Sequence, residues 1–172
     1  SDNCSILGNV LDFDGTNDYF TIPGSFNSNF SSNRITIEGW VYNASGYTPN
    51  NCMLAGESYL GDGNIRFAVH LQGGNIYAGT YPANLTGVTA PLATNTWVHF
   101  AGTYDGTSIR LFLNGTQVAS AAVASLPNGN EEWRIGRRWD SADYFKGKLD
   151  EVRIWNVART AAEINANKNQ TI

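Results

Sequence analysis

The sequence is short of charge, of thiols and of basic surface, and each shortage narrows what the chain can be. Asp, Glu, Lys and Arg make up 15% of its 172 residues, against an average of about 25%. With 11 basic and 15 acidic side chains the formal net charge is −4. Nucleic acid and anionic membranes both need a concentrated basic surface, so neither is expected as a partner. No apolar run approaches the roughly 18 residues that span a bilayer, which argues against membrane insertion. The chain begins without the basic and apolar regions of a secretion signal, so such a segment has been removed or never existed. Only two histidines are present, His70 and His99, and no third ligand falls at a spacing that would make a zinc site.

What is abundant points to β structure. Aromatic residues reach 12%, there are 18 glycines, and Asn, Thr and Ser recur throughout, a composition that favours strands and turns over helices. A chain of this length fits one domain that buries roughly 70% of its unfolded surface. Short strands are separated by turn clusters, the pattern of a sandwich or jelly roll. From Arg34 to Asn43, Ile35, Ile37, Gly39 and Val41 alternate with Thr36, Glu38, Trp40 and Tyr42, so one face is apolar. Hairpins are predicted where Ile65–Leu71 and Asn75–Tyr81 flank Gln72-Gly73-Gly74, and where Trp97–Tyr104 and Thr107–Leu113 flank Asp105-Gly106. Asn114-Gly115 is a third tight turn, returning the chain through Thr116–Ala121. Later strands are expected at Trp133–Gly136 and Lys146–Trp155. Thr160 with Glu163 three residues on makes a capping box for a short helix. The core runs from about residue 9 to 164, and residues 165–172 read as a linker-like tail.

The two cysteines, Cys4 and Cys52, fit no metal motif. They are either buried bystanders or a disulfide that ties the N-terminal segment to a core strand. We favour the disulfide, which implies an oxidising compartment. Sequons stand at Asn3, Asn29, Asn43, Asn84, Asn114 and Asn169; they matter only where the source glycosylates secreted proteins.

Five segments carry a resemblance: LDFDGTNDYF at 11–20, ITIEGWVYN at 35–43, WVHFAGTYDGTSIRLFLNGTQV at 97–118, WRIGR at 133–137 and FKGKLDEVRIWNVARTAAEI at 145–164. In that order and spacing the chain resembles the laminin-G-like and pentraxin-like jelly rolls of the concanavalin A-like lectin/glucanase superfamily. The resemblance implies a single two-sheet antiparallel jelly-roll β-sandwich with a short C-terminal helix. It also implies an extracellular, secreted or cell-surface setting as one module of a larger multidomain protein. Such modules often bind calcium and glycans, but what they bind varies, so the fold alone does not settle function.

Asp14, Asn17 and Asp18 share a glycine-containing turn that can aim several oxygens at one point, and calcium takes six to eight oxygen ligands. In the relatives the strand matching KLDEVRIW lies beside this turn, so the resemblance adds Asp150, and less firmly Glu151, to a structural calcium site. The plainer alternative is an Asx-turn at Asp14 and Asn17, with Asp150 capping a strand. Trp40, Trp97 and Trp155 follow strand spacing and are assigned to packing. RRWDSADYF at 137–145 breaks the strand pattern. There, Trp139 and Tyr144 could stack on a sugar while Arg137, Arg138 and Asp143 bond its hydroxyls. Equally, Trp139 could fold back and shield a sheet. Tyr47, Tyr59, Tyr77, Tyr81, Arg66 and His70 could extend such a surface.

Catalysis is not expected. Hydrolases of this superfamily carry carboxylates one residue apart along a strand, on one face, whereas Glu131-Glu132 and Asp150-Glu151 are adjacent and point apart. The Arg, Gln–His and Tyr set of the lyases is missing, as is a Gly-x-Ser-x-Gly elbow. The expected function is a non-catalytic, lectin-like module that binds a polysaccharide or cell-surface glycan and carries calcium. A protein-interaction, adhesion or spacer module is the alternative.

Overall fold

The computed structural model describes residues 5–7, 10–30, 33–57, 65–81, 86–127, 131–138 and 142–170. In chain order the strands are β1 (Ser5–Leu7), β2 (Val10–Asp14), β3 (Phe20–Ile22), β4 (Ile35–Asn43), β5 (Asn50–Glu57), β6 (Ile65–Gln72) and β7 (Asn75–Tyr81). They continue as β8 (Thr86–Pro91), β9 (Trp97–Tyr104), β10 (Ser108–Leu113), β11 (Thr116–Ala122), β12 (Trp133–Ile135) and β13 (Lys146–Trp155). One helix follows, α1 (Ala161–Asn167). The first sheet has the order β1-β2-β13-β4-β9-β10-β11 and the second β3-β12-β5-β6-β7-β8, and every pairing is antiparallel. This is the expected jelly-roll sandwich.

Turn chemistry and alternation explain the elements. Gly73 and Gly74 have φ of 55° and 84°, and Asn114 and Gly115 have 51° and 83°. Two consecutive positive φ angles match the right-handed strand twist, which makes these the tight hairpins that the dipeptides predict. In β4, Ile35, Ile37 and Val41 point into the core, where they meet Phe67, Val69, Ile76, Phe100, Tyr104 and Leu111. Trp133 is fully buried and stacks on Phe30 at 5.4 Å. Phe26, on the 3-10 turn Gly24–Asn29, meets it edge-on, closing one end of the sandwich. Strand β8 has no counterpart in the sequence reading, because Gly87 and Pro91 mask a strand; at a sheet edge both are tolerated.

The C-terminal segment departs from its reading as a loose tail. Thr160 caps α1 through a complete capping box with Glu163. Ile164 is buried against Ala101 and Phe112 on the outer face of the first sheet. Beyond it, the Trp40 indole donates to the Lys168 carbonyl at 2.7 Å, and Arg153 donates to the carbonyls of Asn167 and Gln170. Underneath, Glu38 pairs with Arg159 at 2.7 Å and accepts from the Trp155 indole at 2.9 Å. Residues 165–170 are thus part of the packed domain.

The expected disulfide is corrected. Cys52 is a free thiol buried in the core, while Cys4 lies outside the described residues. Burial pushes the Cys52 thiol up to about 12 against a smaller lowering effect of Tyr47, so it stays protonated and behaves as a small apolar side chain.

Candidate functional site

Register aligns small residues into one line on the second sheet. Thr21 stands opposite Arg134, Arg134 opposite Gly56, Gly56 opposite Ala68, Ala68 opposite Gly79, and Gly79 opposite Gly87. Their chain neighbours Phe67, Val69, Ala78, Val88 and Trp133 are core residues, so strand alternation turns the line to the outer face. A Cβ on Gly56 would lie 2.3 Å from the Ala68 Cβ, and one on Gly87 would lie 2.8 Å from the Ala78 carbonyl oxygen. Neither position accepts a side chain without movement. The result is a low floor across four strands, ending at Arg134.

The next outward line is Met53, His70, Tyr77 and Thr89. His70 and Tyr77 stack with ring centroids 5.0 Å apart and planes within 6°. His70 is 9% exposed and its Nε2 has no hydrogen-bond partner. Burial pushes its pKa down to about 4, so the ring is neutral at pH 7 and its buried Nε2 is an acceptor or donor without a partner. Met53 and Ala68 are buried, Tyr77 and Gly87 half-buried and Thr89 exposed, so the face opens towards β8.

Beside the β12 end of this floor stands a second group. Residues 136–138 lie against residues 143–145: Arg137 bridges Tyr144, Arg138 N–H donates to the Asp143 carbonyl at 2.8 Å, and Phe145 N–H donates to that of Gly136. Tyr47 fixes this hairpin, its hydroxyl donating to the Tyr144 carbonyl at 2.6 Å and lying 3.4 Å from the Asp143 carboxylate. The other Asp143 oxygen accepts from Asn50 N–H. Arg134 links the hairpin to the floor, donating to the Arg138 carbonyl at 3.3 Å while its guanidinium pairs with Glu132 at 2.6 Å. The Arg137 guanidinium lies 3.8 Å over the Tyr19 ring, and Tyr19 packs against Tyr144 at 6.2 Å. Burial also raises the pKa of Tyr47, with Cys52 and Asp143 adding to the effect, so its hydroxyl stays a donor.

The acidic turn is only partly the cluster the sequence suggests. Asp18 is 2% exposed; its Oδ2 accepts from Asp14 N–H at 3.0 Å and its Oδ1 has no partner. Asp14 accepts from Thr16 N–H at 2.6 Å, the Asx-turn of the plainer alternative. Asn17 is exposed on the same turn. Asp150 and Glu151 do not join them. Asp14 pairs with Lys146, and Asp150 stands four residues further along β13, roughly 13 Å away at strand rise. Asp150 instead accepts from Glu151 N–H, and Glu151, at φ 48°, pairs with Arg153 at 2.6 Å. Both carboxylates hold the bulge that bends β13 between Asp150 and Arg153. Among the described residues no three His, Cys, Asp or Glu side chains converge as a metal site.

Of the expected ligand residues, the structure brings Arg137, Tyr144 and Asp143 together, with Arg138 held by its backbone. Asp143 is occupied structurally and is not left to bind hydroxyls. His70 and Tyr77 form the separate stacked pair. Arg66 lies elsewhere, its guanidinium over Phe30 and donating to the Phe30 carbonyl. Trp139, Tyr59 and the side chain of Tyr81 lie outside the described residues. Sequence reasoning missed Tyr19, Arg134 and the glycine line. The small residues were visible at outward strand positions, but only register shows that they are neighbours.

Two packed antiparallel sheets in this strand order, with the floor on one outer face, define a lectin-like jelly-roll domain. The chain belongs to the Laminin_G_3 family of the Concanavalin A-like lectin/glucanases superfamily, whose pattern matches residues 14–165. It is 37% identical over 73 residues to Pappalysin-1 of Mus musculus, a match covering 40% of this chain and 4% of that protein. The chain thus spans a small fraction of the curated relatives it matches. Among solved structures it is similar to Domain 4 of AbnA, a GH43 extracellular arabinanase from Geobacillus stearothermophilus, in complex with arabinotriose. That likeness has a TM-score of 0.75 at 20% identity, covering 96% of this chain and 79% of the other. It is also similar to the receptor binding domain of botulinum neurotoxin C/D mosaic serotype, with a TM-score of 0.74 at 14% identity, covering 92% and 41%.

Proposed function

We propose that this chain is a non-catalytic carbohydrate-binding module of a larger extracellular protein, and that it binds a polysaccharide or cell-surface glycan on the outer face of the second sheet. The observation that carries this reading is the Gly56–Ala68–Gly79–Gly87 floor beside the stacked His70–Tyr77 pair, with Nε2 of His70 unpartnered. A flat ring face beside a low floor suits the apolar C–H face of a sugar, and an orphan ring nitrogen suits a hydroxyl. The similarity to an arabinanase domain solved with arabinotriose supports it. The acidic side chains that could serve hydrolysis are otherwise engaged: Glu132 pairs Arg134, and Asp150 and Glu151 hold a bulge.

An open face of this kind gives weak affinity, on the order of micromolar to millimolar Kd. The test is calorimetric titration with a panel of neutral and acidic oligosaccharides. His70→Ala and Tyr77→Ala should each weaken the best ligand about tenfold, near 1.4 kcal/mol. Full affinity in both variants would move the site elsewhere. The adhesion reading expects an exposed apolar patch. Trp97, beside Tyr42, and Val157, bonded to Thr36, lie at opposite ends of β4, roughly 20 Å apart along the strand. Val118, on β11, is the third exposed large apolar side chain among the described residues.

Calcium, if bound, falls to Asp14, Asn17 and Asp18 with carbonyls of their turn, since the buried Asp18 Oδ1 lacks a partner. Saturating calcium at about a hundredfold excess over Kd should then raise stability by about 2.7 kcal/mol. The unfolding transition with calcium and with a chelator checks this, and Asp18→Asn should abolish the difference. No calcium-dependent shift in the parent chain refutes the site.

A further inference from the structure

Resting on the saccharide-binding reading, we infer that Arg137, flanked by Tyr19 and Tyr144, binds the carboxylate of an acidic sugar residue, so that the ligand class is a uronate-type saccharide rather than a neutral one. Arg137 is only 9% exposed and its Nε has no hydrogen-bond partner. Its one recorded side-chain contact among the described residues is the Tyr19 ring, 3.8 Å from the guanidinium carbon. A buried guanidinium is ordinarily paired, because its charge is costly to desolvate.

Neither nearby acid forms an ion pair with it. Asp143, six residues on, accepts from Asn50 N–H with one oxygen, and the other lies 3.4 Å from the Tyr47 hydroxyl, whose proton goes to the Tyr144 carbonyl. Glu132 is bound to Arg134. Among the other buried arginines, Arg153 and Arg159 share Glu38 and Arg134 has Glu132, while Arg66 donates to the Phe30 carbonyl. Arg137 therefore stands as a planar cation seated on the Tyr19 ring, with no carboxylate paired to it among the described residues. Its ring neighbours Tyr19 and Tyr144 are half-buried, so solvent reaches the site. A guanidinium presents paired donors that match a carboxylate in two parallel bonds, and the tyrosine ring beneath fixes its plane. Arg134 ties this hairpin to the glycine floor, so one extended saccharide can lie on the floor and place an acidic unit at Arg137. One buried cation on a chain of net charge −4 selects a single carboxylate, not a polyanion.

The experiment titrates oligogalacturonate, oligoglucuronate and oligomannuronate, each beside its methyl ester, which keeps shape and removes charge. The expected result is at least tenfold tighter binding of one acid than of its own ester. Arg137→Gln should abolish that preference while leaving ester binding unchanged, and Arg137→Lys should restore part of it. In the unmutated protein, the side-chain Nε–H signal of Arg137 should shift on adding the acid and stay still on adding the ester. Equal affinity for acid and ester, or a motionless Arg137 signal, overturns this inference and leaves carbohydrate binding standing. If no saccharide binds, neutral or acidic, both fall.

Discussion

The two outer faces of the sandwich are built from similar strands and finished in opposite ways. On the first sheet the chain covers its own outer face: α1 seats Ile164 on Ala101 and Phe112, and the residues after it bond Trp40 and Arg153. The charged residues beneath form one network, Glu38 with Arg153 and Arg159, braced by Trp155, whose ring also carries the Arg159 guanidinium at 4.3 Å. On the second sheet the outer face carries a line of glycine and alanine ending at the Arg134–Glu132 ion pair, with His70 stacked on Tyr77 and the adjoining Arg137 over Tyr19. Buried atoms without a partner occur on both faces, Glu38 Oε2, His99 Nδ1 and Arg153 Nε on the first and His70 Nε2 on the second, so what separates the faces is cover: α1 and the residues after it close the first.

The comparison breaks first at Glu38. Glu38→Ala leaves two buried guanidiniums without their shared carboxylate and should cost about 3–5 kcal/mol in denaturant unfolding. His70→Phe, which replaces an orphan polar ring by an apolar one on the other face, should change stability by no more than about 1 kcal/mol. Comparable losses in the two variants would mean that the faces do not differ as described.

Acid sharpens the same contrast. Burial pushes His70 and His99 each down to about 4, with Lys168, Arg153 and Arg159 adding to the effect at His99. Unfolded, both protonate near pH 6.5. Between about pH 6.5 and 4 the unfolded chain therefore holds more protons, and stability must fall as pH falls, by up to about 3 kcal/mol per histidine. His70→Phe should remove about half of that slope, and a pH series of denaturation midpoints reads it directly. An unchanged slope would place the proton uptake elsewhere.

The smallest effect concerns how the first face is closed. Thr160→Ala removes half of the capping box of α1 and should cost about 1 kcal/mol. The loss should show as faster amide exchange in residues 161–168, with the second sheet unaffected.

Much of the fold was legible because its signals are local. Alternation in Ile35–Asn43, the Gly73-Gly74 and Asn114-Gly115 turns, and the Thr160–Glu163 box each act within a few residues. The candidate site was legible only in fragments. Arg137, Tyr144 and Asp143 stand out in the sequence because they interrupt a strand pattern; the structure brings them together, with Asp143 accepting from Asn50 N–H and Arg137 lying over Tyr19. The resemblance assigns Asp150 and Glu151 to calcium because it sets their strand beside the Asp14 turn. A bulge set by pairing with β4 turns them to other work.

The sequence by itself determined most of the strands, β8 excepted, with their turns and the helix cap, because these depend on periods of two residues and on φ angles that few side chains adopt. Tertiary structure alone decided which outward positions became neighbours. Gly56, Ala68, Gly79 and Gly87 are far apart in the chain and adjacent only through antiparallel register. The same pairing decided that Cys52 is a buried thiol, that residues 165–170 close one face, and that Arg137 meets Tyr19. Register is fixed by the sum of many core contacts, so no short stretch of sequence contains it.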